Sequence, residues 1–168
     1  LGAVCWAALA LSAAAWFRLR TAQVAVAVVL VGLGCTTTVT NWDAAKLSES
    51  LGLSLTVLVI AAWLNFLRRT DPVTAALVAL ATLPWLFVRQ SLVPTGWLVV
   101  VLAAIGATVA WRRRGPGGAR TVRLLAGLCL LLALETAVAS ATYAHNQEIV
   151  HENLLVIVAN RVATDPGR

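Results

Sequence analysis

The chain has no methionine, a single lysine, a single tyrosine and only 12% charged residues. Each shortage excludes something. A water-soluble domain carries roughly 25% charged residues, so the charge content alone argues against a soluble globular unit. Without methionine there is no initiator residue, and the chain is read as processed, trimmed or the ordered part of something longer. The opening LGAVCWAALALSAAAWF has no basic residue ahead of its apolar run, so it is not read as a cleavable signal peptide. Cysteine is scarce as well. Cys5, Cys35 and Cys129 are odd in number, each lies in an apolar run, and no C-x-x-C pair exists. Such thiols are expected to act as small apolar fillers rather than as redox or metal groups. Also missing are a Walker loop, a G-x-S-x-G elbow, a Ser-His-Asp order and a dinucleotide fingerprint.

What the chain does have is apolar length. Hydrophobic residues make up 60% of the sequence, arranged as six stretches of near-spanning length. They cover about residues 1–17, 21–40, 51–67, 72–88, 95–111 and 124–143. The fold class predicted is all-α, a polytopic transmembrane helix bundle of about six spans. Several stretches fall short of the about 20 residues that a crossing helix needs. Interfacial Arg and Trp side chains that reach the headgroups relax that requirement. The fourth and fifth stretches, separated only by residues 89–95, are the pair that a re-entrant hairpin would use instead.

Local signals sharpen some boundaries. In Thr70-Asp71-Pro72, Asp71 is placed to cap a helix and Pro72 to occupy its first position. Pro84, inside the fourth stretch, has no N–H for the carbonyl of Leu80, which predicts a kink. The third helix is expected to begin ahead of residue 51, with Asn41 or Asp43 as its cap. WRRRGPGGAR is the strongest loop signal in the chain. After Tyr143 the character changes: HNQEIVHEN is polar, LLVIVA is apolar but too short to span, and NRVATDPGR is polar again. Residues 1–144 are therefore read as the bundle and 145–168 as a polar, interfacial tail.

Charge distribution orients the bundle. The gaps after the first, third and fifth stretches hold nine basic residues: Arg18, Arg20, Arg68, Arg69, Arg112, Arg113, Arg114, Arg120 and Arg123. The gaps after the second and fourth hold only Lys46 and Arg89. Under the positive-inside rule the nine are cytoplasmic and both termini lie outside. The formal net charge of +6 is then a topology signal and not a nucleic-acid signal. Arg112, Arg113 and Arg114 are expected to meet anionic lipid. The excess of Arg over Lys, with abundant Ala, Val and Leu, has the look of a GC-rich genome, so a bacterial cytoplasmic membrane is expected.

Candidate chemistry is sparse. Glu135 sits well inside the sixth stretch, where a carboxylate is costly and is expected to be protonated, paired or facing a polar cavity. A proton, cation or ligand site is one reading. A structural Glu bonded to Thr, Ser or Asn of a neighbouring helix is the other. Arg89 is the natural candidate partner for Glu135, with headgroup snorkelling as its alternative. Asn65 is read as an interhelical hydrogen-bonder, with a ligand role as the alternative. His145, Glu148, His151 and Glu152 form a candidate metal set, since 145, 148 and 152 share a helical face with 151 adjacent. The spacing is not that of H-E-x-x-H, and a solvated juxtamembrane stretch accounts for the same residues. The loop Asn41-Trp42-Asp43 with Lys46 and Glu49 is read as an external, capped interfacial turn. No cofactor is indicated. A non-enzymatic transport-type or accessory subunit is favoured, with other protein subunits or further copies of the chain as partners. A sensory or regulatory input module is the alternative, and a lipid-acting enzyme using His145, Glu148 and Glu135 the weakest reading.

Overall fold

A computed structural model describes residues 2–36, 47–112 and 118–164, with side-chain surroundings for 2–36, 50–112 and 119–150. Every element among the described residues is helical: α1 Gly2–Ala14, α2 Arg20–Gly34, α3 Leu47–Arg68, α4 Pro72–Val88, a 3-10 turn Gln90–Leu92, α5 Val93–Arg112 and α6 Gly118–Thr164. Three of these, over Ser50–Arg68, Gln90–Arg112 and Ala119–Val150, are long and apolar enough to cross a membrane. α1, α2 and α4 are shorter apolar helices.

α4 takes the bounds that its cap signal implies. Asp71 is extended (φ −127°, ψ 164°), and its carboxylate accepts the Thr74 N–H at 2.8 Å. The Thr74 hydroxyl in turn accepts the Asp71 N–H at 3.4 Å, closing a reciprocal capping box. The Thr74 N–H holds the Asp71 carboxyl below its usual value of 3.8. Pro84 lies inside α4, on the exposed face it shares with Leu80, and the helix continues past it to Val88.

α6 is longer than the sixth apolar stretch. It starts at Gly118 and runs unbroken past Tyr143 to Thr164. Residues 128–165 contain neither Gly nor Pro, which leaves the strongest helix breakers out of this stretch. Polarity of side chains does not end a helix; loss of backbone bonding does. At 1.5 Å per residue, α6 is about 70 Å long, more than twice the roughly 30 Å hydrocarbon core. Residues 145–164 of the expected polar tail are helical and continuous with α6.

The helices pack as a row, α2–α1–α3–α4–α6–α5, each touching chiefly its neighbours. α3 is two-sided. Val57 and Ala61 meet Cys5 and Leu9 of α1. Leu55, Val59, Ala62 and Phe66 meet the larger core with Val78, Trp85 and Leu86 of α4 and Leu128, Leu132 and Ala139 of α6. Buried positions on α6 recur every three or four residues (128, 132, 135, 136, 139), one stripe of a helix. α2 buries no residue, and α5 buries only Gly96 and Ala103. Those two helices form the edges of the row.

Pairwise contacts fix the directions. Trp6, early in α1, lies against Gly34 at the end of α2, so these two run antiparallel. Ser12 meets Asn65, both late in their helices, so α1 and α3 run parallel. Thr56 meets Trp85, making α3 and α4 antiparallel. Pro72 lies by Arg123 and Phe87 by Tyr143, making α4 and α6 parallel. Trp97 meets Ser140, so α5 opposes α6. Successive helices therefore alternate in direction. Arg18, Arg20, Arg68, Arg69, Arg112, Arg120 and Arg123 consequently gather at one end, and among the described side chains only Arg89 stands at the other.

Candidate functional site

The junction of α4, α5 and α6 is held by close approach and by hydroxyl bonds. At Gly96 a Cβ would come within 2.6 Å of Leu86 Cδ2 and 3.2 Å of the Thr136 side chain, so any larger residue makes these buried side chains or α5 shift. Trp97 Nε1 donates to Ser140 Oγ at 3.3 Å. The Tyr143 hydroxyl donates to the Phe87 carbonyl at 2.8 Å, satisfying a terminal carbonyl of α4 that has no intrahelical donor. In the sequence Gly96 reads as a chain break, Trp97 as an interfacial aromatic and Tyr143 as a span end, and nothing there brings the three together. The offset between Gly96 and Thr136 is a tertiary fact with no local signature.

Glu135 lies on the buried stripe of α6 between Leu132 and Thr136 on one side and Ala139 on the other. It is the sole carboxylate between Asp71 and Glu148 in the sequence. The residue is 9% exposed, and its Oε2 is buried without a hydrogen-bond partner. Nearby hydroxyls are engaged elsewhere. Thr136 Oγ1 donates to the Leu132 carbonyl at 2.7 Å and Ser140 Oγ to the Thr136 carbonyl at 2.7 Å. Thr82 of α4, itself 1% exposed, donates to the Val78 carbonyl at 2.8 Å. These hydroxyls bond back to their own helices, leaving Oε2 unanswered. A buried carboxylate oxygen without a donor is an expensive feature to keep.

Arg89 is exposed in the turn after α4, at the level of Tyr143, whose hydroxyl bonds to the Phe87 carbonyl. Tyr143 lies eight residues beyond Glu135, or about 12 Å along a helix. Oε2 of Glu135 accepts no bond from Arg89 or from any other described group. Asn65 is an interhelical donor as expected. Its Nδ2 donates to Ser12 Oγ at 2.7 Å, and Ser12 Oγ donates to the Ala8 carbonyl at 2.7 Å. Ser12 is the partner that the sequence did not single out.

His145 and Glu148 are exposed on α6, while the side chains of His151 and Glu152 lie outside the described residues. Among the described residues no three His, Cys, Asp or Glu side chains gather as a metal would need. Arg112 is exposed at the end of α5; Arg113, Arg114 and the 41–46 loop lie outside the described residues, as does the Glu49 side chain. At the arginine-poor end, Gln90, Tyr143, Asn146, Gln147 and Val150 line an open groove of about 560 Å³.

No family model, no curated protein and no solved structure matches the chain.

Proposed function

We propose that the chain is an integral membrane protein that crosses a bacterial cytoplasmic membrane six times, with the arginine-bearing end in the cytoplasm and both termini outside. In this reading it works as a transport-type component or accessory subunit of a membrane assembly, with Glu135 as its proton-bearing group. The single observation that carries the proposal is the buried, unanswered Oε2 of Glu135. A charged side chain at the bilayer centre costs about 2.5–3.5 kcal/mol on insertion scales. A group kept at that cost, while neighbouring hydroxyls bond elsewhere, fits a site that gains and loses a proton better than it fits interhelical glue. The short helices α1, α2 and α4 cross with the help of flanking Arg and Trp side chains and local thinning of the bilayer.

Two measurements test this. In proteoliposomes with an entrapped pH dye, Glu135→Gln abolishes proton-coupled flux while the assembly purifies at wild-type yield. Flux equal to wild type in that variant overturns the proposal. For topology, single cysteines replacing Arg18 and Arg120 in a background lacking native cysteines label from the cytoplasmic side only, and a cysteine at Arg89 labels from outside. Labelling of positions 18 and 120 from opposite sides removes the six-span arrangement.

The alternative, a regulatory input module, draws on one observation. α6 continues for 21 residues past Tyr143 to Thr164, long enough to carry a displacement of the bundle out of the membrane.

A further inference from the structure

We infer that the cleft between α1, α3 and α4 is a binding site for one anionic phospholipid, its acyl chain in the cleft and its phosphate at Arg68. The inference rests on the membrane reading above and adds a specific ligand at a place distinct from Arg112–Arg114.

The cleft holds about 310 Å³. Its floor is made of small residues, with Ala61 and Ala62 of α3 buried, and its rim by Leu77 and Leu80 of α4, the latter 68% exposed. A floor of small side chains beneath projecting leucines matches the width of a hydrocarbon chain lying along the helices. The two ends of the cleft differ. Towards the arginine-poor end it is wholly apolar at Leu58 and Ala81. Towards the arginine-rich end it meets the Asn65–Ser12 hydrogen bond. One turn beyond Asn65, on the same face of α3, Arg68 donates through Nη1 to the Ala15 carbonyl at 3.1 Å. That bond uses one of five guanidinium donors and holds the side chain over the α1–α3 seam, while the residue itself stays exposed. The polarity runs from hydrocarbon to amide to cation, in the order of an acyl chain, an ester region and a phosphate. Charge selects the occupant: a cation at the mouth, with Arg18 also at this end and Arg69 facing Asp71, favours an anionic over a zwitterionic headgroup. Within α1–α5 a second copy offers a single acidic residue, Glu49 at the start of α3, to answer Arg68.

The test uses the full chain purified in detergent, exchanged against equal amounts of phosphatidylglycerol and phosphatidylcholine, and weighed by native mass spectrometry. The expected result is one phosphatidylglycerol retained per chain in preference to phosphatidylcholine. Arg68→Gln lowers that preference roughly fivefold, the worth of about one basic residue near an anionic surface. Leu80→Phe, which fills the exposed rim and replaces neither an arginine nor a member of the Asn65–Ser12 bond, lowers retention of both lipids. This second variant separates occlusion of the cleft from damage to the α1–α3 seam. Equal retention of the two lipids by wild type, or unchanged retention in both variants, overturns the site. So does a stable dimer that Leu80→Phe dissociates while lipid retention holds. A chain that is monodisperse without detergent would instead remove the membrane reading on which the inference stands.

Discussion

The two sides of α3 solve the same problem differently. On the α1 side the seam is thin, made of Cys5, Leu9, Val57 and Ala61, and its polar groups are closed off. Asn65 answers Ser12, Trp16 Nε1 reaches the Leu64 carbonyl at 3.3 Å, and Arg68 answers the Ala15 carbonyl. On the α4–α6 side the core is larger, with Phe66, Leu86 and Leu132 fully buried, yet it holds a carboxylate oxygen that nothing answers. In lipid, helices gain nothing by hiding apolar surface from other apolar surface, so packing and interhelical hydrogen bonds do the holding. The α1 side spends its polar groups on that. The α4–α6 side holds by close packing at Gly96 and by hydroxyl bonds, none of which reaches Glu135 Oε2. On the proposed reading that group is surplus to cohesion and is where activity is to be sought.

The largest effect that would sharpen this contrast is at Glu135. Replacement by Gln is expected to remove proton-coupled activity while leaving the melting temperature in detergent within a few degrees of wild type. A fall in melting temperature with normal activity per folded complex would place Glu135 with the structural groups and erase the contrast.

Next in size is Gly96→Val. Its Cβ alone would meet Leu86 of α4 at 2.6 Å and Thr136 of α6 at 3.2 Å, so the buried end of Leu86 or α5 itself must shift. A loss of about 1–3 kcal/mol is expected from overpacking, read by chemical denaturation in micelles. A neutral result would mean that α5 does not depend on the close approach.

On the α1 side, Ser12→Ala and Asn65→Leu are each expected to cost less, near the roughly 0.6 kcal/mol typical of membrane hydrogen bonds. The double variant should cost less than the two singles added, since both remove one bond. Strict additivity would show that the Asn65–Ser12 bond does not form.

The smallest effect lies at Asp71, whose acid is held below its usual 3.8 by the Thr74 N–H. A depressed carboxyl stabilises the fold at pH above its unfolded value, and that contribution is lost as pH falls through the lower folded value. The stability difference between wild type and Asp71→Asn should therefore be constant from neutral pH down to about 4 and shrink below that. A difference that grows on acidification would contradict the capping geometry.

Legibility followed the range of the physics. The start of α4 could be read because Asp71 and Pro72 act on backbone groups within four residues of themselves; the reciprocal part of Thr74 emerged only with the structure. The role of Asn65 could be read as a type of bond, but its partner Ser12 lies 53 residues away and carries no mark. The apolar part of α6 could be read from composition, but how far the helix runs past Tyr143 could not, because a polar stretch such as 144–152 is compatible with helix or loop until its backbone bonding is known. Glu135 stood out by its depth among apolar residues, but whether it was answered depended on where neighbouring hydroxyls turned.

By itself the sequence determined the helical class, the membrane-like composition and the gathering of arginines at alternate gaps, because hydrophobicity and charge act through solvent and need no knowledge of neighbours. Only the tertiary structure decided the row α2–α1–α3–α4–α6–α5, the closed bonds of the α1–α3 seam and the open oxygen of Glu135. Those depend on which faces of separate helices come within about 3 Å of one another, a distance that no local pattern encodes.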